Sequence, residues 1–198
     1  MKKGLFLMLA VMLLAGCSSH REVSRLPADQ VTDLSGQWND TDSRLVAQEM
    51  VTDCLARPWI DEFLTKAAAK PVVTVGAIRN TSDEHINTEI FTSDIERELI
   101  NSGRVKFVAS KPERGEIRDE RQDQQDYASP ETIKRMREET GADFLLTGAV
   151  KTIVDQLKGT RVVFYQTDLQ LINIETNEKA WIGTKKIKKE ITKGSSKW

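Results

Sequence analysis

Histidine and cysteine are scarce in this chain, with two of each in 198 residues. His20 lies close to the N-terminus, so only His85 remains for imidazole chemistry in the folded part. Neither a metal cluster nor a histidine-dependent triad is expected from that supply. The cysteines are Cys17 and Cys54. Cys17 closes an N-terminal apolar run, which leaves Cys54 alone in the folded part. A lone cysteine staples nothing within the chain, and Cys54 falls on a helix stripe where a small apolar side chain packs; pairing between chains is the alternative. Charge of one sign is missing too. The 29 basic and 30 acidic side chains nearly cancel, and no block of one sign is long enough for a nucleic-acid footprint, which argues against DNA or RNA as partners. The N-terminal apolar run is short as well: Leu5 to Ala15 is eleven residues, well below the ~20 that span a bilayer.

That run has another use. Lys2 and Lys3 form a basic n-region and Leu5 to Ala15 an h-region, the pattern of a secretory targeting peptide. Leu14-Ala15-Gly16-Cys17 then resembles the lipobox of bacterial lipoproteins. The small residues at 15 and 16 suit a peptidase cleft, and a cysteine thiolate can carry a lipid. The resemblance implies cleavage after Gly16, a diacylglycerol thioether on Cys17, and acylation of the new amine; no other cofactor is expected. At roughly 0.8 kcal/mol per buried methylene, several acyl chains hold a protein on a membrane almost permanently. Ser18 stands where an acidic residue would mark retention at the inner membrane, so the resemblance implies the outer membrane, facing the periplasm. An ordinary signal peptide with an incidental cysteine is the alternative.

The expected organisation is a signal peptide over 1–16, a lipidated cysteine with a flexible tether over 17–37, a globular domain over 38–193 and a disordered tail over 194–198 that carries Trp198. The tether lacks an apolar period and spans at most ~70 Å fully extended. From Asp40, Ala47, Val51 and Leu55 form one i, i+4 column and Val46, Met50 and Cys54 the next, an amphipathic helix opened by Asn39-Asp40-Thr41-Asp42 and closed before Pro58. Trp59, Ile60 and Phe63 continue the cluster in a short second helix.

Val72 to Ile78 reads as a central strand buried on both faces, followed by the polar loop Arg79 to His85. A helix is expected from about Asn87 to Asn101, with Phe91, Ile95 and Leu99 in one column and Gly103 as its terminator. Arg104 to Ser110 reads as a second strand. Lys111 to Tyr127 is dense in charge and reads as a solvated helix or mobile loop. Ser129-Pro130 supplies an N-cap and a first-turn proline, so a helix is expected from there to Gly141. Phe144 to Val150 reads as the third strand. Thr160 to Ile174 alternates, with Tyr165, Thr167, Leu169 and Leu171 on one side and Gln166, Asp168 and Gln170 on the other, a strand with one face on a core. Glu175-Thr176-Asn177 turns the chain into a last strand, Lys179 to Ile191, whose Lys185, Lys186, Lys188 and Lys189 guard an edge. The order α(α)βαβαβββ gives an α+β fold, helices packed on a twisted mixed sheet of four to five strands.

The segments Ser35 to Arg44, Val75 to Ile86 and Gly141 to Gly148, with the closing strands Thr167 to Trp181, together resemble the LpoB family. The resemblance implies an outer-membrane lipoprotein that binds and activates a bifunctional class A penicillin-binding protein, without catalysis of its own and without a small-molecule substrate. Members of the family have a long proline-rich tether, whereas the tether here is short and holds only Pro27. A secretion or structural role, with a core like the curli channel lipoproteins, is the alternative; it demands extra amphipathic strands, and the spare segment Lys111 to Tyr127 is charged on both faces. The residues expected to touch a partner are Arg79, Asn80, Thr81 and His85, because loops at the carboxyl ends of strands are common binding positions. Closing a turn and capping the next helix would equally explain Asn80 and Thr81. Trp181 and Tyr165 are expected to pack in the core.

Overall fold

The computed structural model describes residues 22–192. Gly16, Cys17 and Ser18, on which cleavage, lipidation and sorting rest, lie outside the described residues, as do His20 and Trp198. The chain divides into two units, one ending at Gln30 and one starting at Val31. Within the first, residues 22–30 form no helix or strand; Gln30 N–H donates to the Pro27 carbonyl in a turn at 3.1 Å. Among its described residues the second unit holds four helices and five strands. Its start at Val31 places residues 31–37 with the domain instead of the tether, because Asp33, Gly36 and Gln37 bond to it directly.

Helix α1 spans Asp40–Leu55. Its N-cap is reciprocal: the Asn39 side chain accepts from Asp42 N–H at 3.1 Å, and the Asp42 carboxylate accepts from Asn39 N–H at 3.0 Å. Both expected columns are buried, Cys54 among them, and burial pushes the Cys54 thiol up to about 12, as an inert core cysteine requires. Helix α2, Trp59–Ala67, turns back so that the Trp59 indole satisfies the Cys54 carbonyl at 2.8 Å. Trp59 and Phe63 meet the Phe144 ring edge-on at 5.0 and 5.4 Å. Helix α3, Thr88–Asn101, buries Phe91, Ile95 and Leu99 and is capped by Asn87. Gly103, at φ +63°, follows it as expected.

The sheet runs in the order β2-β1-β3-β4-β5, with β1 at Val72–Asn80, β2 at Lys106–Phe107, β3 at Phe144–Leu157, β4 at Thr160–Asn173 and β5 at Lys179–Thr192. β2 and β3 flank β1 in parallel, while β3, β4 and β5 are antiparallel. Inner-face residues Val73, Leu146, Val163, Tyr165, Leu169 and Trp181 form one core with α1, α2 and α3. Burying each such aliphatic or aromatic side chain contributes about 1.5–3 kcal/mol. The fold is α+β, and Tyr165 and Trp181 pack in its core.

Several boundaries differ from the sequence reading. β1 is buried on both faces only from Val72 to Val75, and Arg79 and Asn80 end the strand instead of starting the loop. β2 pairs over two residues, not the whole of 104–110. β3 continues seven residues past Val150 and turns through Lys158 and Gly159, both at positive φ. No helix forms over 130–141, where Arg137 has φ +64° and a single turn follows Ser129. Only Ile133 and Met136 are apolar there, too few to give a helix a face to bury. The helix between β2 and β3 is instead α4, Lys111–Tyr127, with no buried residue. It starts where Ser110 N–H donates to Glu113 at 2.6 Å. Arg118 and Arg121 of α4 both bond Glu139, which ties the irregular segment alongside.

Candidate functional site

The loop after β1 is built by its own polar side chains. Asn80 Oδ1 accepts from Ser82 N–H at 3.0 Å, and Asn80 Nδ2 donates to the Glu84 carbonyl at 2.7 Å. Thr81 donates its N–H and its hydroxyl to the Val150 carbonyl at 2.9 and 3.1 Å. Asp83 N–H reaches the Thr152 hydroxyl at 3.3 Å. Asn80 and Thr81 thus close the turn, as one sequence reading had it, but the cap of the next helix is Asn87. All four expected contact residues share this loop and are exposed: Arg79 and Asn80 at the strand end, Thr81 beside β3, and His85 before buried Ile86.

Glu84 was not singled out from the sequence, yet it holds the loop to the start of the domain. Its side chain is 6 % exposed. Oε2 accepts from the Tyr165 hydroxyl at 2.7 Å and from Trp38 N–H at 3.2 Å. The Arg161 guanidinium, 3.6 Å from Oε1, balances its charge. Burial, then the bond to Glu84, raises the Tyr165 phenol well above its ordinary pKa, so it stays a donor. Trp38 lies between the rings of Phe91 and Tyr165, at 6.0 and 5.7 Å, and its indole donates to Ser43 at 2.8 Å.

A second fastening runs through Lys189 of β5. Its ammonium contacts Asp33 and Asp42 at 2.6 Å each and donates to the Gln37 carbonyl at 3.2 Å. Burial opposes the charge, but the two carboxylates outweigh it and raise the lysine pKa; the bond from Lys189 in turn lowers Asp33. Residues 33–38 therefore form a strap pinned to β5 at one end and to the Arg79–His85 loop at the other. Among the described residues, no group of three or more His, Cys, Asp or Glu side chains could hold a metal ion, and no helix is long and apolar enough to cross a membrane. The arrangement offers an exposed polar loop on a rigid strand end, suited to contact with another protein.

A family model described as peptidoglycan-synthase activator LpoB matches residues 42–187. Among solved structures, the LpoB C-terminal domain from Escherichia coli is 18 % identical, covering 77 % of this chain and 99 % of that one with a TM-score of 0.43. The corresponding domain from Salmonella enterica is 17 % identical over 66 % of this chain and 93 % of its own, TM-score 0.35. A lipoprotein from Neisseria meningitidis is 14 % identical over 64 % and 88 %, TM-score 0.40. No curated protein matches the chain.

Proposed function

The chain belongs to the LpoB family of peptidoglycan-synthase activators, and from that premise we propose that it binds and activates a class A penicillin-binding protein at the outer membrane. The family match over residues 42–187 carries this reading. Cys17 is its lipid anchor, cleavage falls after Gly16, and Ser18 directs the product to the outer membrane, facing the periplasm. The partner contact is the loop carrying Arg79, Asn80, Thr81 and His85. Asn80 and Thr81 hold the loop's shape through bonds to Ser82, Glu84 and Val150, which leaves Arg79 and His85 to meet the partner. A rigid loop loses little entropy on association, which favours binding. The protein acts by binding alone and performs no reaction.

The test takes residues 18–198 and a detergent-purified class A penicillin-binding protein from the same organism, and measures binding together with glycan polymerisation rate. Binding with a faster rate is expected. Folded partners that neither bind nor change the rate would overturn the proposal. Incorporation of radiolabelled palmitate into the parent chain, and its loss in Cys17→Ser, checks the anchor separately.

A further inference from the structure

β5 is the outermost strand on its side of the sheet, and β4 is its one partner among the described residues. Asn173 N–H donates to the Glu178 carbonyl where β4 turns into β5, so Asn173 faces β5, and by alternation so do Leu171, Leu169 and Thr167. Their partners Trp181, Gly183 and Lys185 face β4 in return. The N–H and C=O groups of Ile182, Thr184, Lys186 and Lys188 therefore point away from the sheet, and no backbone group among the described residues pairs with them. Lysines usually guard such a row. Here Lys185 and Lys189 turn instead to the helix side, onto Glu49 and onto Asp33 with Asp42.

A groove of about 1220 Å³ runs along this edge, with α1 as its other wall, and Ile182, Thr184 and Lys188 open into it. Its charges cancel within it: Lys185 meets Glu49, Lys189 meets Asp42, and Asp53 accepts from both Arg57 and the Trp181 indole. What stays open there is apolar. Gly183 leaves its own place to the Trp181 ring, which a Cβ would meet at 2.1 Å, and Leu45 of α1, 46 % exposed, lines the groove with Ile187. The strap closes one end through Asp33 on Lys189, so the edge from Ile182 to Ile187 is clear. On the other face of the sheet Lys186 and Lys188 are exposed, and neither has an ion pair or hydrogen bond among the described residues. A strand added to β5 divides its side chains between these two faces. Those opposite Gly183 and Ile187 enter the groove, while those opposite Thr184 and Lys186 stand on the open face, with Lys186 and Lys188 in direct or diagonal reach. A second copy of β5 would bring its own lysines to the same face and add like charge. We propose that the β5 edge and the α1 groove bind an extended segment of another protein in which apolar and acidic residues alternate, by strand addition between Ile182 and Ile187. The pairing is antiparallel, the more stable kind per residue. β3 and β4 separate this edge from β1 and its contact loop, so the site is distinct from the one proposed above.

The probe is the peptide Val-Glu-Ala-Glu-Val, amidated and carrying a fluorophore on a Gly-Gly leader, titrated with the full chain in detergent and read by fluorescence polarisation. Saturable binding is expected, and the counterpart Val-Lys-Ala-Lys-Val should bind about tenfold more weakly. Methylating the backbone nitrogen of either glutamate, whose N–H faces β5, should weaken binding about tenfold. Methylating the alanine nitrogen, whose N–H faces away, should leave it unchanged. Thr184→Pro removes an outward N–H without touching the β4 ladder, and should abolish binding in a chain whose circular dichroism matches the parent. Lys186→Glu should reverse the preference between the two peptides. If methylated alanine weakens binding as much as methylated glutamate, the contact is made by side chains alone and the inference is overturned. Absence of saturable binding overturns it too; a chain that then runs as a dimer, dissociated by Thr184→Pro, would assign the edge to a second copy instead.

Discussion

The Tyr165 hydroxyl donates to the Glu84 carboxylate at 2.7 Å, joining the centre of β4 to a loop residue 81 positions earlier in the chain. Glu84 is almost fully enclosed, so its bonds are made in a medium where an unsatisfied charge is costly. Tyr165→Phe removes one donor to this carboxylate and is expected to cost about 1.5–3 kcal/mol. Glu84→Gln alone should also destabilise, by leaving Arg161 unbalanced. The double variant should cost less than the two singles added together, because the residues share one network. Urea unfolding of the four proteins measures the coupling, and strict additivity would show that the bond does not hold the loop.

Lys189 tests the other end of the strap. Lys189→Met keeps the packing of the stem and leaves Asp42, at 8 % side-chain exposure, without its cation. A loss of about 3–5 kcal/mol is expected, as for other half-broken buried pairs. Adding Asp42→Asn should recover part of it. If Lys189→Met unfolds at the same urea concentration as the parent, the strap is not held by this contact.

Lys189 and its other carboxylate, Asp33, set a pH window. The Lys189 pKa is raised in the fold, so its contribution is complete below the ordinary lysine value of about 10.4 and disappears as pH climbs through the folded value. Asp33 is lowered, so its contribution is complete above about pH 3.9 and disappears as pH falls through the folded value. The acid limb should be shallow, since the Asp33 side chain is 46 % exposed and water screens it. Thermal melts from pH 2 to 11 should show the alkaline limb flattened in Lys189→Met, whose strap has no ammonium to lose.

How much of this was legible in the sequence depended on whether a segment buries a face. The two columns of α1 were read correctly because Val46, Ala47, Met50, Val51, Cys54 and Leu55 all face the core. α4 buries nothing, so apolar periodicity could not separate a helix from a loop over 111–127. The Ser129-Pro130 signal starts a single turn, but with only Ile133 and Met136 behind it no helix follows. The distal half of β3 was missed because Ile153 and Val154 are adjacent, which breaks alternation, and Lys158-Gly159 lacks the Asn or Asp that marks a two-residue hairpin turn. At the candidate site the loop itself was legible from its place after a buried strand. Glu84 was not, since its partners Trp38 and Tyr165 are 46 and 81 residues away, and no local pattern encodes a contact at that distance.

Two glycines should respond oppositely to alanine. A Cβ on Gly148 would lie 2.1 Å from the Asp168 carbonyl oxygen, backbone that is held in the β3–β4 ladder. Gly148→Ala is expected to cost about 1–3 kcal/mol by forcing those strands apart. Gly115, inside α4, has nothing within 4 Å of the same position, so Gly115→Ala should stabilise by about 0.5–1 kcal/mol through helix propensity alone. Equal effects in chemical denaturation would contradict the strand spacing described above.

The proposed contact loop separates into residues that build it and residues that present it, and the two groups should fail differently. Asn80 bonds Ser82 and Glu84, so Asn80→Ala should lower stability by about 1 kcal/mol and weaken partner binding only through the loop's lost shape. Arg79 and His85 are exposed, and Arg79→Glu or His85→Ala should leave the melting temperature within a degree or two of the parent, as surface substitutions do. If the loop is the docking site, Arg79→Glu weakens binding of the penicillin-binding protein and slows activation at subsaturating concentrations. Saturating amounts of the variant should restore the rate, because a contact residue changes occupancy while the bound complex still acts. Should both variants bind like the parent, the loop's side chains serve only to hold the strap, and the docking surface lies elsewhere on the domain.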